Sequence, residues 1–430
     1  MRRHAVIAGS GAGGAIMARE LQGSYRVTIL ESGKTFRPLQ YSLSLLNPFR
    51  QAGILMDERM IPWVFPSMVV RKSGEAMVFV SGRSRGGSTA LSTGSAVRAD
   101  ENLQSIDIDL SPEFNQLTRD IPLTSDHRSL WSAITEGIFA HSKSRGFDPT
   151  IIRKMGHHER CRNCGRCMLG CRYGVKWYSG IPLREAEKNG AEIRTGHTVI
   201  KLAERNGNVT GVMVKAGIRT YVLEADLIIL SARGFNTPII LERSGIKTDD
   251  SLFVDPVLTV AARIPKSHQN SELTMPFMIR KERFFLSPYY DYLSVLFNPQ
   301  WRQYRYEDIY GIMIKLADTP TGSIRPAGIE KTLTTEDHEI LKSAQEMCFE
   351  IFRSMDIQEE DILTGTLHAG HPGGTLSLRR ESAESFHDSR LPDNVYVADA
   401  SLIPGPFGMP PILTIMAMAK RIASICKKLQ

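Results

Sequence analysis

Residues 4–34 read HAVIAGSGAGGAIMARELQGSYRVTILESGK, and this stretch decides the fold. The apolar run AVIA is typical of a buried parallel strand. It leads into Gly9, Gly11 and Gly14, which satisfy the G-x-G-x-x-G pattern of a dinucleotide-binding turn. AIMARELQ has the spacing of a helix, and RVTIL then forms a second strand that ends at Glu31.

Each glycine of this turn has its own physical role. Gly9 permits the tight turn, Gly11 lets the backbone approach a pyrophosphate, and Gly14 allows the helix to pack closely on the strand. The helix N-terminus offers free N–H groups and the positive end of its dipole to the phosphates. Glu31 stands at the distance expected for an acid that binds the adenosine ribose. The stretch therefore predicts dinucleotide binding rather than a plain glycine-rich turn.

The whole chain has the composition of an ordinary soluble enzyme. It has 430 residues, of which 42% are hydrophobic and 23% charged, so we expect two domains. No apolar run is long enough to span a bilayer, and the N-terminus lacks the apolar stretch of a signal peptide. We therefore expect no transmembrane segment and a cytoplasmic location, where thiols stay reduced. The net charge of +7 is scattered along the chain, which argues against nucleic-acid binding.

Three further stretches favour FAD as the dinucleotide. They are SGRSRGGSTALSTGSAVRA at 81–99, ADLIILSARGFNTPIILERSGI at 225–246, and the C-terminal run that contains VADASLIPGPFGMPPILTI. Together with the N-terminal turn they resemble the glucose–methanol–choline (GMC) oxidoreductase family, whose members bind FAD. The resemblance implies cofactor contacts from Gly9, Gly11, Ala12, Gly14, Glu31, Ser32, Arg83, Gly86, Gly87, Ser88, Thr89, Asp399, Ala400 and Pro411.

The same resemblance implies a catalytic histidine, with departures around it. The sequence HPGGT places His371 at the position of the family's catalytic histidine. The second polar residue that normally precedes the last helix is replaced by Pro410, and Ser92 replaces the usual Asn or His of the first signature. His368 is close enough in sequence to compensate. An alcohol CH–OH remains the expected substrate, although half of the usual polar pair is missing.

The substrate side is predicted as a second, sheet-based domain. TMPFMIR, RFFLSPYYDYLSVLF and IYGIMIKL carry the alternation of antiparallel strands with one face on a pocket, and TTEDHEILKSAQEMCFEIFRSM has the pattern of a capped helix. The expected fold is an α/β Rossmann-like FAD-binding domain with an α+β substrate domain on an antiparallel sheet. The expected boundaries are 1–105, 172–250 and 361–430 for FAD binding, 106–160 for a substrate-side cap, 161–171 for a metal loop, and 251–360 for the substrate domain.

The metal loop is CRNCGRCMLGC, which holds four of the six cysteines of the chain. Its C-x2-C-x2-C-x3-C spacing is that of bacterial ferredoxins and predicts a 4Fe-4S cluster on Cys161, Cys164, Cys167 and Cys171. The fourth ligand could instead be Cys348 or Cys426, or it could be absent, which would leave a 3Fe-4S cluster. Zinc and four redox-sensing or inert thiols are the competing interpretations.

A cluster beside FAD predicts a dehydrogenase or reductase rather than an oxidase. An oxidase gives flavin electrons to oxygen and needs no cluster, whereas a cluster exchanges single electrons with a ferredoxin-like or other redox protein. A C=C reductase or isomerase of an apolar substrate is the alternative enzyme, because Pro410 weakens the case for an alcohol. A redox-responsive binding module that keeps FAD structurally is the alternative outside catalysis.

Overall fold

The computed structural model describes residues 2–41, 43–54, 57–73 and 77–429. Within these ranges, no helix has the length and apolar character needed to cross a membrane. The strands are β1 (His4–Ala8), β2 (Arg26–Glu31), β3 (Met68–Lys72), β4 (Val78–Gly82), β5 (Leu123–Thr124), β6 (Thr150–Ile151), β7 (Lys154–Met155), β8 (Glu192–Thr195), β9 (His197–Arg205), β10 (Asn208–Ala216), β11 (Arg219–Glu224), β12 (Leu227–Leu230), β13 (Val257–Arg263), β14 (Phe277–Arg280), β15 (Phe284–Pro288), β16 (Ile309–Leu316), β17 (Ser323–Arg325), β18 (Gly328–Glu330), β19 (Ile362–Thr364), β20 (His368–Ala369) and β21 (Val395–Val397). The helices are α1 (Ala12–Glu20), α2 (Asn47–Gln51), α3 (Ile61–Val64), α4 (Glu101–Gln104), α5 (Ser111–Asp120), α6 (Ala133–Ser144), α7 (Gly180–Lys188), α8 (Arg233–Arg243), α9 (Tyr292–Phe297), α10 (Thr335–Arg353) and α11 (Ile412–Lys427).

A five-stranded parallel sheet carries the predicted dinucleotide turn. Its order is β21-β12-β1-β2-β8, and β1 pairs in parallel with both β2 and β12. Helix α1 packs against α11 and α7, so the first and last helices of the chain lie together on this unit. The arrangement confirms the predicted Rossmann-like fold, and the β1–α1 turn lies at the carboxyl end of the central strand, where such sheets bind ligands.

A second, nine-stranded sheet is mostly antiparallel and confirms the sheet-based substrate side. Its order is β3-β4-β20-β13-β16-β15-β14-β6, with β19 also paired to β13. The central strand β16 is buried along its whole length, because α10 packs on this sheet and apolar residues cover its other face. Strands β3, β4, β6, β19 and β20 join the sheet from outside residues 251–360.

One predicted strand segment is partly helical. RFFLSPYYDYLSVLF forms β15 and then α9, because the Asp291 side chain accepts hydrogen bonds from Leu293 N and Ser294 N and so caps a helix. The helices predicted for AIMARELQ and TTEDHEILKSAQEMCFEIFRSM are confirmed as α1 and α10. Thr334 and Asp337 form a capping box at the start of α10, and α11 begins directly after Pro411.

Candidate active site

The glycine turn is packed so tightly that side chains are excluded at two of its three positions. A Cβ on Gly9, whose φ is +100°, would lie 2.1 Å from the carbonyl oxygen of Ser231. A Cβ on Gly14 would lie 2.0 Å from the carbonyl oxygen of Gly9. Gly11 has no atom within 4 Å of its Cβ position and faces a cavity. The turn therefore leaves an open place at Gly11 where a ligand can approach the backbone.

A hydrogen-bond network ties the acid at the end of β2 to this turn. Ser10 Oγ donates to Glu31 Oε2 at 2.6 Å, and Gly86 N donates to Ser10 Oγ at 3.1 Å. Gly33 N donates to the other carboxylate oxygen of Glu31 at 2.7 Å. Glu31 is therefore fixed at the edge of the turn, and the 81–99 stretch lies against the same point.

One large cavity collects residues from all four stretches that the sequence singled out. The predicted site residues on its wall are Gly11, Ala12, Ser88, Thr89, His371, Asp399, Ala400 and Pro411. Behind the wall lie Gly9, Gly14, Glu31, Ser32, Arg83, Gly86 and Gly87, of which Arg83 is exposed. Asp399 is fixed by Thr237 Oγ1, which donates to it at 2.5 Å, and by the N–H of Ser401 at 2.9 Å.

Two histidines face the cavity from the segment between the sheets. In the described part of the chain, His371 has no hydrogen-bonding partner at Nδ1, and His368 Nε2 lies 3.8 Å from Asp291 Oδ1. Burial lowers the pKa of His371 well below its usual value of 6.5, and the nearby Lys315 ammonium lowers it further. The His371 imidazole is therefore neutral at pH 7 and is equipped to accept a proton.

A buried lysine that the sequence reading did not single out shares this wall. Lys315 on β16 lines the cavity, and its Nζ lies 3.1 Å from Asp255 Oδ2. Asp255 Oδ1 also accepts a hydrogen bond from Gly408 N at 3.1 Å, so the pair is tied to the segment that ends at Pro410. Burial raises the pKa of Asp255 to about 6. Lys315 thus places a polar group on the cavity wall, whereas Pro410, at the position of the family's second polar residue, offers none.

The rest of the cavity wall is largely apolar. Most of its apolar side chains come from residues 61–68, from the strands β4, β13 and β16 and from the helices α8, α9 and α11. These side chains are Ile61, Phe65, Met68, Val80, Leu91, Met168, Leu169, Phe235, Val257, Met275, Leu293, Leu296, Phe297, Met313, Ile412 and Ile415. Such a wall suits an apolar substrate or an aromatic cofactor ring, with few polar groups to orient it.

The four loop cysteines line one small pocket of their own. Cys161, Cys164, Cys167 and Cys171 border it, together with His158. Over the described residues, no three or more His, Cys, Asp or Glu side chains converge closely enough to hold a metal ion as they stand. His158 is 1% exposed, and neither ring nitrogen makes a hydrogen bond of ordinary geometry. It is a potential ligand that the cysteine spacing does not indicate.

Two buried lysines flank the cysteine pocket. Lys176 Nζ donates to the carbonyl oxygens of Ser92 at 2.7 Å and Cys167 at 3.0 Å, and so links the cysteine loop to the 81–99 stretch. Burial lowers the pKa of Lys154 to about 7 and that of Lys176 to about 8. Neither ammonium pairs with a carboxylate anywhere in the described ranges, and the nearest acidic groups are the thiols.

The cysteine pocket shares a wall with the large cavity. Cys167 borders the pocket, while the next two residues, Met168 and Leu169, line the cavity. Tyr292, which also lines the cavity, donates from its hydroxyl to the carbonyl oxygen of Gly165 in the loop at 3.1 Å. The loop and the cavity are therefore packed as one unit.

Comparison with known proteins decides the family. The family model described as GMC oxidoreductase matches residues 5–263, which is more than half of the chain. The chain belongs to the GMC oxidoreductase family.

Individual GMC relatives are distant but cover nearly the whole chain. An uncharacterised protein of Methanocaldococcus jannaschii is 26% identical over 422 residues, which are 96% of this chain and 97% of the relative. Long-chain-alcohol oxidase FAO4A of Arabidopsis thaliana is 23% identical over 96% of this chain and 67% of its own length. The crystal structure of pyridoxine 4-oxidase from Mesorbium loti superposes with a TM-score of 0.73 at 16% identity, covering 98% of this chain and 99% of the other, which shows the shared fold.

GMC oxidoreductases are FAD-dependent, and the cavity of this member fits that cofactor at its glycine turn. Arg233 lines the cavity at the start of α8 and has a φ of +72°. Its Nη1 is buried and has no hydrogen-bonding partner among the residues that the structure describes. Burial lowers the pKa of its guanidinium to about 10. The Arg233 guanidinium lines the same cavity as Gly11, and a cation there suits the negative charge of a dinucleotide pyrophosphate. A lone arginine in a helix start gave no signal of this role in the sequence.

Changing Arg233 to methionine is expected to raise the Kd for FAD by about tenfold, because one charge-assisted contact in a buried site is lost. The measurement is the quenching of FAD fluorescence on titration into the apoprotein. Arg243→Met, which removes an exposed cation at the other end of α8, away from the cavity, is the matched control and should bind FAD as the unaltered protein does. Equal affinities for all three proteins would contradict this role of Arg233.

Cys348 and Cys426 lie away from the cysteine loop at 161–171. Cys348 lies in α10 within the core around the large sheet, and Cys426 lies in α11 within the core around the parallel sheet. Both are fully buried, and neither borders the pocket of the four loop thiols. Of the residues considered for a fourth ligand, Cys171 borders the pocket, as His158 also does, and a three-ligand site without a fourth residue stays an alternative.

Proposed function

We propose that this GMC protein is an FAD-dependent dehydrogenase that oxidises an alcohol CH–OH and passes the electrons on through an iron–sulfur site to a redox protein. The observation that carries the proposal is His371, a neutral imidazole without a hydrogen-bonding partner at Nδ1, on the wall of the cavity that also holds Gly11, Thr89 and Pro411. When bound, FAD supplies the acceptor for a hydride from the substrate carbon. The boundaries given above for the FAD-binding and substrate parts belong to the same proposal.

His371 acts in this proposal as the general base. Its lowered pKa keeps a ring nitrogen free to take the hydroxyl proton as the carbon loses its hydride. Lys315 stabilises the substrate oxygen as negative charge develops on it, and so takes the role of the polar residue that Pro410 replaces in this chain. The apolar wall excludes water and orients the carbon chain of the substrate. The name of the plant relative, a long-chain-alcohol oxidase, supports an alcohol of this kind.

The cysteine pocket supports a dehydrogenase over an oxidase. Cys161, Cys164 and Cys167, with Cys171 or His158, provide enough ligands for a 4Fe-4S cluster, which supplies one-electron transfer when bound. Lys154 and Lys176 compensate the negative charge that thiolates bring into a buried site. The exposed cations Arg162 and Arg172 at the loop surface suit an acidic, ferredoxin-like partner in a reducing cytoplasm.

The first experiment is EPR on anaerobically purified protein before and after dithionite reduction. A paramagnetic signal that appears on reduction supports the 4Fe-4S cluster. A signal present as isolated and lost on reduction indicates a 3Fe-4S cluster, with three ligands. Silence in both states, with zinc in the protein, removes the electron relay and leaves ordinary GMC flavin chemistry.

The second experiment follows flavin absorbance after anaerobic mixing with alcohols of increasing chain length. Bleaching of the flavin supports alcohol oxidation. Faster reoxidation of the reduced flavin by an oxidised one-electron protein carrier than by oxygen supports a dehydrogenase. Failure of every alcohol to bleach the flavin would overturn the alcohol assignment.

A flavin-dependent C=C reductase of an apolar substrate is the second candidate. Tyr289 favours it, because this residue lines the cavity and burial raises the pKa of its hydroxyl, so that the phenol keeps its proton. A protonated phenol can deliver a proton to a carbon that receives a hydride. Oxidation of the reduced flavin by an enone, in protein that no alcohol bleaches, would select this function.

A further inference from the structure

A segment of residues 39–41, 43–54 and 57–67, here called the cap and distinct from the expected substrate-side cap at 106–160, closes the large cavity from outside. Its inner face is apolar: Ile61 and Phe65 line the cavity, and Leu39, Leu43 and Met60 pack on the core beneath them. The cap is short, and its described residues form α2, α3 and two 3-10 turns. Packing over the cavity and the core accounts for the hydrophobic side chains of this inner face.

A buried arginine fixes the cap to the body of the protein. Arg50 on α2 is fully buried, and its guanidinium donates to the carbonyl oxygens of Val295 at 2.6 Å and Tyr304 at 2.8 Å and to that of Trp301. These carbonyls belong to α9 and the turn that follows it. The cap is therefore held in one orientation, and its outer face is a defined surface.

That outer face is also hydrophobic, although it points to solvent. Nine large hydrophobic residues are exposed among those described, and five of them lie in this one segment. Tyr41 Oη donates to the carbonyl oxygen of Val64 at 2.8 Å, which brings the Tyr41 and Trp63 ends of the cap together. The five exposed residues are Tyr41 at 38%, Leu45 at 63%, Phe49 at 50%, Ile54 at 55% and Trp63 at 87%.

We propose that the outer face of the cap binds a lipid bilayer and that the cavity beneath it takes its substrate from the membrane. Soluble proteins rarely leave such a group of apolar side chains exposed, and Trp and Tyr are the residues that favour the membrane–water interface. The same cap carries apolar side chains on both faces, which suits the passage of a lipid-soluble molecule from the bilayer to the cavity.

Charge around the cap complements an anionic bilayer. Lys34 and Arg37 are exposed shortly before it, and Arg166 donates to the carbonyl oxygen of Tyr41 at its edge. None of these three cations forms an ion pair with a carboxylate in the ranges that the structure describes. The chain as a whole carries a net charge of +7. Apolar side chains flanked by free cations are the combination that binds an interface containing anionic lipids.

Only the second half of this proposal, the entry of substrate into the cavity, rests on the proposed function. Membrane binding can therefore be tested without measuring enzyme activity. Trp63 is 87% exposed, whereas the other three tryptophans, Trp131, Trp177 and Trp301, are at most 9% exposed. A blue shift of tryptophan fluorescence on mixing with vesicles therefore reports transfer of Trp63 into lipid. The probe is vesicles of phosphatidylcholine with and without an anionic phospholipid, and co-sedimentation measures the bound fraction.

The expected result is a blue shift and co-sedimentation, both stronger with the anionic lipid. Phe49→Ser keeps the Trp63 reporter and is expected to weaken vesicle binding by about tenfold, as removal of one buried aromatic contact does. Ile218→Ser is the matched control, since Ile218 is fully exposed in the hairpin between β10 and β11, and it should bind as the unaltered protein does. An unshifted spectrum without co-sedimentation overturns the proposal. Self-association that Phe49→Ser abolishes, without vesicle binding, would assign the face to a second copy of the chain and overturns it equally.

A second arm tests the substrate class. With an alcohol dissolved in the vesicles, Phe49→Ser is expected to reduce flavin bleaching by about the same factor as binding, whereas a short water-soluble alcohol should bleach both proteins equally. Equal rates with the vesicle-borne alcohol would separate membrane binding from substrate entry and overturn the second half of the proposal. If no alcohol bleaches the flavin while vesicle binding is normal, the proposed function fails and the membrane surface stands.

Discussion

Replacement of His371 by glutamine is expected to slow substrate-linked reduction of the flavin by about 10²–10⁴-fold, the usual contribution of a general base. Glutamine keeps the size and hydrogen-bonding capacity of the side chain but cannot accept the proton. FAD should remain bound, because the groups assigned to its pyrophosphate end, Gly11 and Arg233, are unchanged. The measurement is stopped-flow absorbance of the flavin under anaerobic conditions, together with the flavin content of the purified variant.

The pH profile of the reaction tests whether the base is a buried, neutral histidine. Since burial holds the pKa of His371 well below 6.5, its neutral form persists as the pH falls. The rate of flavin reduction should therefore stay level as the pH falls through 6.5, whereas an exposed histidine would lose its basic form there. His338→Gln, on the exposed face of α10, is the control and should react at the unaltered rate. A His371→Gln protein with near-normal rates would show that another group takes the proton.

The framework of the site could be predicted because it rests on local patterns. Gly11, Thr89, Asp399 and Pro411 lie far apart in the chain, yet each belongs to a short stretch with its own turn or helix-start chemistry. Gly11 and Asp399 follow β1 and β21 of the parallel sheet, whose strand order brings their turns to one edge. Thr89 follows β4 of the second sheet, which meets that edge, so that all four residues border one cavity. Their convergence follows from the fold class, so recognising the stretches was enough to place them together.

The residues that the sequence did not reveal act through tertiary partners. Lys315 stands in IYGIMIKL, a strand buried on both faces, and its charge is tolerated only because Asp255 lies 3.1 Å away on the neighbouring segment. Arg233 and His158 have no pattern around them that distinguishes a cavity wall from a surface. A charged residue inside an apolar run is a useful signal, because lysine is almost never fully buried without a partner. That signal could have found Lys315.

Substitution of Cys161 or Cys164 by alanine is expected to remove essentially all iron and acid-labile sulfide from the purified protein. Each thiolate contributes one bond to the cluster, and a cluster with two firm ligands left is not retained. Flavin content should change little, because the thiols border their own pocket and not the large cavity. The measurement is the ratio of iron to flavin in anaerobically purified proteins.

Three further variants make this prediction specific. Cys348→Ala removes a cysteine that is equally buried but lies in the core of α10, so its protein should keep its iron while losing a little stability to the small cavity. Cys171→Ala and His158→Ala then decide the remaining ligand, since the one that completes the cluster should lose iron or convert it to a three-iron form. With the iron gone, alcohols should still bleach the flavin, but transfer of single electrons to a protein acceptor should stop. Full iron content in Cys161→Ala and Cys164→Ala would show that the metal is held elsewhere, and the four thiols would then be a structural or redox-sensing loop.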